Sequence, residues 1–238
     1  MRLDPRDDGT SSDIVPACET TRARITRTEL PPRRHPIPAP LVAELVARID
    51  ACDPLNAGHS ARVAALSTMI GQALGFEPDA IDRLRVGALL HDLGKILLPP
   101  TLLHRAGPLN AREMALVRRH PAAGATLLAG YPELHFAIPV VRAHHERFDG
   151  LGYPDGISGR QIPIFARIVG AADAFDAMIS CRAYRDPLTV AEAVDEIQQN
   201  AGSQFDPLVA WALVFVAEEG GFRDRWESMA SDAVAAAA

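Results

Sequence analysis

Eight histidines are spread through this 238-residue chain, and five stand beside other side chains able to hold a cation or a proton. These are His59, His91, His120, His144 and His145. Asp92 follows His91 directly, and Asp173 adds a second carboxylate on an apolar stretch. Imidazole and carboxylate together suit first-row divalent ions such as iron, manganese and zinc. One ion uses three or four such ligands. These candidates exceed one ion's needs and, with one bridging carboxylate, fit two. His144 and His145 would stand about 100° apart on a helix, so both reach one ion only at a helix end, and Gly150 follows closely. A histidine taken singly is most often a surface or satisfied core residue, and His35, His104 and His135 keep that reading.

These side chains need a scaffold, and from Leu41 onward the pattern is helical. Leu41, Leu45 and Ile49 recur one turn apart, as do Val63, Leu66, Ile70 and Leu74 at spacings of three and four. Ile81, Leu84 and Ala88 form a third stripe that ends at His91-Asp92. Asn110 with Glu113 and Thr189 with Glu192 fit capping boxes, and Asp206-Pro207 fits a cap followed by proline. A helix starting near Pro139 is expected to end at His144-His145. A longer one is expected over Ile164–Ile179, with Phe165, Ile168, Val169, Ala172 and Phe175 facing inward. No hairpin-linked strand pair and no repeat is found. The expected architecture is therefore all-α. Residues 1–40 differ: seven prolines and seven arginines without an apolar stripe predict an extended or disordered leader. Three regions are expected: the leader at 1–40, one domain at 41–218, and a C-terminal helical extension with an Ala-rich tail at 219–238.

Composition narrows the function classes. A chain of this length buries about 70% of its unfolded surface, so a core needs no disulfide. Cys18, Cys52 and Cys181 lie far apart with no CxxC, which excludes a thiolate zinc site and a disulfide framework. The net charge of −6 argues against polymeric nucleic acid and anionic membrane as partners. The longest apolar run, 208–217, is too short for a bilayer, and no secretory signal opens the chain. The expected location is the cytoplasm. Of 24 basic residues only Lys95 is lysine. No Walker loop, GxSxG or HExxH competes with the histidines.

The segment His91-Asp92-Leu93-Gly94-Lys95 is followed by His144-His145-Glu146-Arg147-Phe148-Asp149-Gly150-Leu151-Gly152-Tyr153-Pro154. Together they resemble the HD-GYP family of HD-superfamily phosphohydrolases. Supporting segments are Asp53, Gly58-His59-Ser60-Ala61-Arg62-Val63, His120-Pro121, Ala172-Asp173-Ala174-Phe175-Asp176-Ala177-Met178, Arg182-Ala183-Tyr184-Arg185 and Gly202-Ser203-Gln204-Phe205-Asp206-Pro207. The likeness covers about residues 41–217. It implies a compact helical bundle that hydrolyses cyclic di-GMP to pGpG or onward to GMP with two divalent ions, iron or manganese. His59, His91, Asp92 and Asp173 would hold one ion. Asp92, His120, His144 and His145 would hold the other, with Asp92 bridging and so catalytic. Lys95 would meet the substrate phosphate and assist the leaving oxygen. Arg182 and Arg185 would contact the second phosphate or base, and Gly152, Tyr153 and Pro154 would form a lip of the site. The resemblance also implies a GGDEF-type cyclase as partner and allows a homodimer. Surface solvation is the plainer reading of Lys95, Arg182 and Arg185, and a connector that of residues 149–156.

The chain departs from the family at Leu55, where some members carry a glutamate that ligates a third ion. Two ions are therefore expected, and the product ratio is open. Hydrolysis of another cyclic dinucleotide is the rival activity. A non-catalytic binding module is the rival class, and its usual mark, lost ligands, is missing here.

Overall fold

Helix α1 (Ala39–Cys52) leads, behind the Pro36-Ile37-Pro38 segment, into the central helix α2 (His59–Ala73). The computed structural model describes residues 36–105, 107–180 and 186–235, with only the backbone for Leu55 and 232–235. The rest of the leader, together with Arg182 and Arg185, lies outside the described residues.

Helix α2 is buried on nearly every side, the mark of a helix at the centre of a bundle. Around it stand α3 (Pro78–Leu90), α8 (Ile164–Ile179), α10 (Pro207–Glu218) and α11 (Phe222–Ala235). Between α3 and α8 come the short helices α4 (Pro100–Leu103), α5 (Ala111–Val117), α6 (His120–Leu128) and α7 (Ile138–Ala143). Helix α9 (Val190–Gln199) precedes α10. Short 3-10 helices at Pro54–Asn56, Leu93–Leu97, Pro132–Ala137 and Gly159–Gln161 lie in the connections. Among the described residues there is no strand, only an isolated bridge between Ala201 and Phe205. The all-α expectation is borne out.

The local signals act where the sequence places them. Asn110 and Glu113 close a capping box at α5, as do Thr189 and Glu192 at α9. The Asp206 carboxylate accepts from the Leu208 amide at the start of α10. The five apolar side chains named on α8 are all buried. A main core results, beside a small separate cluster of Ala143, Ile162 and Ala166, and it includes Phe222 and Trp226 of α11, whose rings stack at 5.7 Å and meet Phe175 edge-on. Among the described residues no helix is long and apolar enough to cross a membrane.

Close backbone approach sets the geometry of the site at Gly94. A Cβ there would fall 1.9 Å from the His120 carbonyl oxygen and 2.7 Å from the Gly124 amide. Only glycine lets the Leu93–Leu97 turn lie directly against α6.

Candidate metal centre

Five histidines and two aspartates from five segments converge. His59 opens α2, and His91-Asp92 follows α3. His120 opens α6, His144-His145 follows the last residue of α7, and Asp173 projects from α8. The helix ends at Ala143, and the adjacent pair occupies the turn that follows, with His144 still in helical dihedrals as the cap residue.

Local geometry orients three of the rings in the same way. Nδ1 of His91, His120 and His144 lies 2.6, 2.8 and 2.9 Å from the carbonyl three residues earlier, on Ala88, Val117 and Val141. A carbonyl only accepts, so each Nδ1 carries the hydrogen and each Nε2 presents a bare lone pair. These lone pairs point at one another. Nε2 of His120 and His144 are 3.2 Å apart, and Nε2 of His91 is buried with no protein partner. Two acceptors at that distance repel unless a cation lies between them, and a buried orphan acceptor is costly. The donor set therefore fits divalent ions.

Asp92 divides its oxygens between two groups. Oδ1 is 3.2 Å from His120 Nε2. Oδ2 is 2.6 Å from Lys95 Nζ, 3.5 Å from His91 Nε2 and 3.8 Å from His59 Nε2. Asp173 continues the ring: Oδ1 lies 3.2 Å from His59 Nε2 and Oδ2 lies 4.0 Å from His145 Nδ1. Three sets bring ligand atoms within 4.8 Å of one another: His59 with His91 and Asp173, His91 with Asp92 and His144, and His120 with His144 and His145. The middle set joins the outer two, so a carboxylate at Asp92 can serve both.

The protein charges this cluster unevenly. Burial holds the His91 and His144 rings below the ordinary imidazole value, and brings His145 to about 4. All three are neutral at pH 7, the form that ligates. Burial also opposes the charged form of His59, but hydrogen bonds to Asp173 and Asp176 win and push it up to about 10. Burial alone would raise Asp92, yet Lys95 and the neighbouring imidazoles hold it well below the carboxylate range. Asp92 in turn keeps the Lys95 ammonium protonated against its burial.

The segment 149–156 covers one side of the cluster. The Tyr153 ring packs against His145 at 4.9 Å between centroids, and the Arg118 guanidinium sits over the Tyr153 ring, 5.2 Å from its centroid. The Tyr153 amide donates to the His145 carbonyl at 3.2 Å, and the Tyr153-Pro154 peptide is cis. Gly152 lies so close that a Cβ would fall 2.4 Å from the Arg147 amide. Glu146 Oε1 accepts from the amides of Asp155 (2.6 Å) and Gly156 (3.1 Å), tying the segment back to the His144-His145 strand of chain. A cavity of about 240 Å³ beside it shares His145 and Asp173.

Sequence reasoning assigned no role to three residues that hold the cluster: Asp176, Arg62 and Glu146. Asp176 is 1% exposed and accepts from His59 Nδ1 at 2.7 Å. Its signal was present: Asp173 and Asp176 share a face of an otherwise apolar helix, and a buried charge requires a partner.

The HD domain family profile matches residues 44–209. The "Cyclic di-GMP phosphodiesterase response regulator RpfG" of Xanthomonas campestris is 37% identical over 155 residues, 64% of this chain and 41% of that protein. The "3'3'-cGAMP-specific phosphodiesterase 2" of Vibrio cholerae is 32% identical over 176 residues, 73% of this chain and 34% of that protein. The chain thus spans less than half the length of either relative. Among solved structures, the Vibrio cholerae cyclic GMP-AMP specific phosphodiesterase V-cGAP3 superposes with a TM-score of 0.63 at 17% identity. That match covers 82% of this chain and 52% of that one, and it shows the shared fold. The HD-GYP resemblance is borne out, and the chain belongs to the HD domain family.

Proposed function

We propose that this chain is a metal-dependent phosphodiesterase that hydrolyses cyclic di-GMP to pGpG or onward to GMP. The observation that carries the reading is Asp92, whose Oδ2 faces the bare Nε2 of His91 and whose Oδ1 faces that of His120. His59, His91, Asp92 and Asp173 would hold one ion, and Asp92, His120, His144 and His145 the other, with iron or manganese as the ions. Ions bound there supply Lewis-acid polarisation of the phosphodiester and an acidified water.

The side chains do the rest. Lys95 keeps its proton at Nζ beside Asp92 and is partly open to solvent. A compact ammonium on a flexible stem can turn to an incoming phosphate oxygen and donate its proton to the departing alkoxide. Tyr153, packed against His145 and Arg118, stands beside the cluster as part of the lip. Gly152 and Pro154 would shape that lip of the site, and Arg182 and Arg185 would contact the second phosphate or base. We place the protein in the cytoplasm, and the resemblance allows a GGDEF-type cyclase as partner and a homodimer as its assembly. A second reading, hydrolysis of 3'3'-cGAMP, rests on the Vibrio cholerae relative that carries that specificity in its name.

The test is anaerobic turnover of cyclic di-GMP and 3'3'-cGAMP by protein loaded with iron or manganese, with Asp92→Ala as control. Cyclic di-GMP turnover lost in the variant supports the proposal. Faster turnover of cGAMP moves the substrate to the second reading. No turnover of either by fully loaded protein overturns the enzyme assignment in favour of a binding module.

A further inference from the structure

His59 is held differently from the other ligand candidates. His91, His120 and His144 rest their Nδ1 atoms on main-chain carbonyls, which no substitution removes. His59 rests on a side chain, the Asp176 carboxylate. Asp176 is itself gripped from the opposite side: Arg62 Nε donates to Oδ1 at 2.6 Å, and a second guanidinium nitrogen donates to Oδ2 at 3.1 Å. The main chain of Arg62 is anchored in turn, because Trp226 Nε1 of α11 donates to its carbonyl at 2.7 Å. Phe175, next to Asp176, packs against Phe222 and Trp226. A line of contacts therefore runs from α11, beyond the family-matched segment, to the His59 edge of the cluster.

We propose that Asp176 and Arg62, buttressed by α11, are positioning residues for the His59 half of the centre alone. The inference rests on the reading that the cluster holds metal ions. A carboxylate on Nδ1 fixes the tautomer, aims Nε2 and makes the imidazole a stronger donor to a cation than a carbonyl does. The fork from Arg62 prevents Asp176 from rotating away. The half built from His120, His144 and His145 is joined to this line only indirectly, beyond His59, through Asp173 and Asp92, so the two ions respond unequally to the same substitution.

The experiment is a manganese titration of the full chain, read by bound-ion stoichiometry and by electron paramagnetic resonance, for wild type, Asp176→Asn, Arg62→Lys, Trp226→Phe and His59→Ala. In Asp176→Asn one ion is expected to bind about 10–100-fold more weakly, the range for such supporting partners. The other ion keeps its affinity, leaving an isolated-ion spectrum at intermediate loading. Arg62→Lys, which keeps the charge but loses the fork, shifts the same ion in the same direction. Trp226→Phe, which keeps the ring stack and removes only the donor, shifts that ion alone by a smaller factor. Adding Asp176→Asn to His59→Ala changes nothing further, because the ring it positions is gone.

Equal weakening of both ions, or an added loss in the His59→Ala background, marks Asp176 as general packing and overturns the inference. So does wild-type binding in both Asp176→Asn and Arg62→Lys, whereas wild-type binding in Trp226→Phe alone overturns the buttress. Should Asp176→Asn fail to fold, Arg62→Lys decides, since its side chain is part-exposed and the charge is kept. A wild-type protein that binds no manganese overturns the metal-centre reading and this inference with it.

Discussion

Replacing Gly94 by alanine would place a methyl group 1.9 Å from the His120 carbonyl oxygen and 2.7 Å from the Gly124 amide. Both neighbours are main chain, so no rotamer change relieves the clash. The turn or α6 must retreat by about 1 Å before the nearest contact reaches even 3.0 Å, in an interior packed like a crystal. Overpacking of this kind costs about 2 kcal/mol, or roughly 4–8 °C in Tm for a chain of this size. The larger effect is on the site. The turn carries Lys95 and adjoins Asp92, while α6 opens with His120, whose Nε2 is 3.2 Å from Asp92 Oδ1. Whichever side moves, that gap changes by a sizeable fraction of itself. A misplacement of about 1 Å costs on the order of 100-fold in turnover. The assay pairs thermal unfolding of metal-free protein with manganese titration and turnover. Gly130→Ala serves as control, since a Cβ there meets nothing closer than 3.5 Å. A Gly94→Ala protein with the control's Tm, manganese affinity and turnover would refute the reasoning.

Metal-free protein should also lose stability in acid. Unfolded imidazoles titrate near 6.5, whereas burial holds His145 to about 4 and lowers His91 and His144. From pH 6.5 to 4 the unfolded chain takes up protons that the folded one refuses, and His145 alone withdraws about 3 kcal/mol. His59, pushed up to about 10, acts oppositely: its contribution is whole below pH 6.5 and is lost as pH rises through 10. Tm of the chelator-treated protein should therefore peak near pH 6.5, and a flat profile down to pH 4.5 sinks the argument. Lys95→Ala should lower turnover by about 10²–10⁴-fold while manganese binds at least as tightly, because Asp92 Oδ2 loses a competing cation. Turnover unchanged in that variant removes Lys95 from the chemistry. Glu146→Ala frees the Asp155 and Gly156 amides that it holds, so KM should rise about tenfold with both ions retained. Loss of an ion instead would mean that Glu146 supports the ligands themselves.

The parts legible beforehand are those decided within a few residues. Capping boxes at Asn110 and Thr189 depend on side chains three positions apart, and the buried stripe of α8 depends on a period of 3.6. That His144 and His145 needed a helix end followed from the angle between adjacent helical residues, and α7 does stop at Ala143. The number and type of candidate ligands were also written in the chain, as was the departure at Leu55.

Other features exist only because distant segments pack together. His59 and Asp176 are 117 positions apart, yet their side chains meet at 2.7 Å. The division of the Asp92 oxygens between His120 and the His59–His91 group depends on where α2, α3 and α6 come to rest. So does the demand for glycine at position 94, which is invisible until α6 lies against the turn. Trp226 read as part of a terminal extension, but its ring is buried beside Phe175 and its N–H reaches Arg62. By itself the sequence determined the helices, their ends and the chemistry of the donor set, because propensity, capping and ligand type are properties of short stretches. Only the tertiary structure decided which donors share an ion and what holds each in place, because those relations are distances between segments that no spacing along the chain encodes.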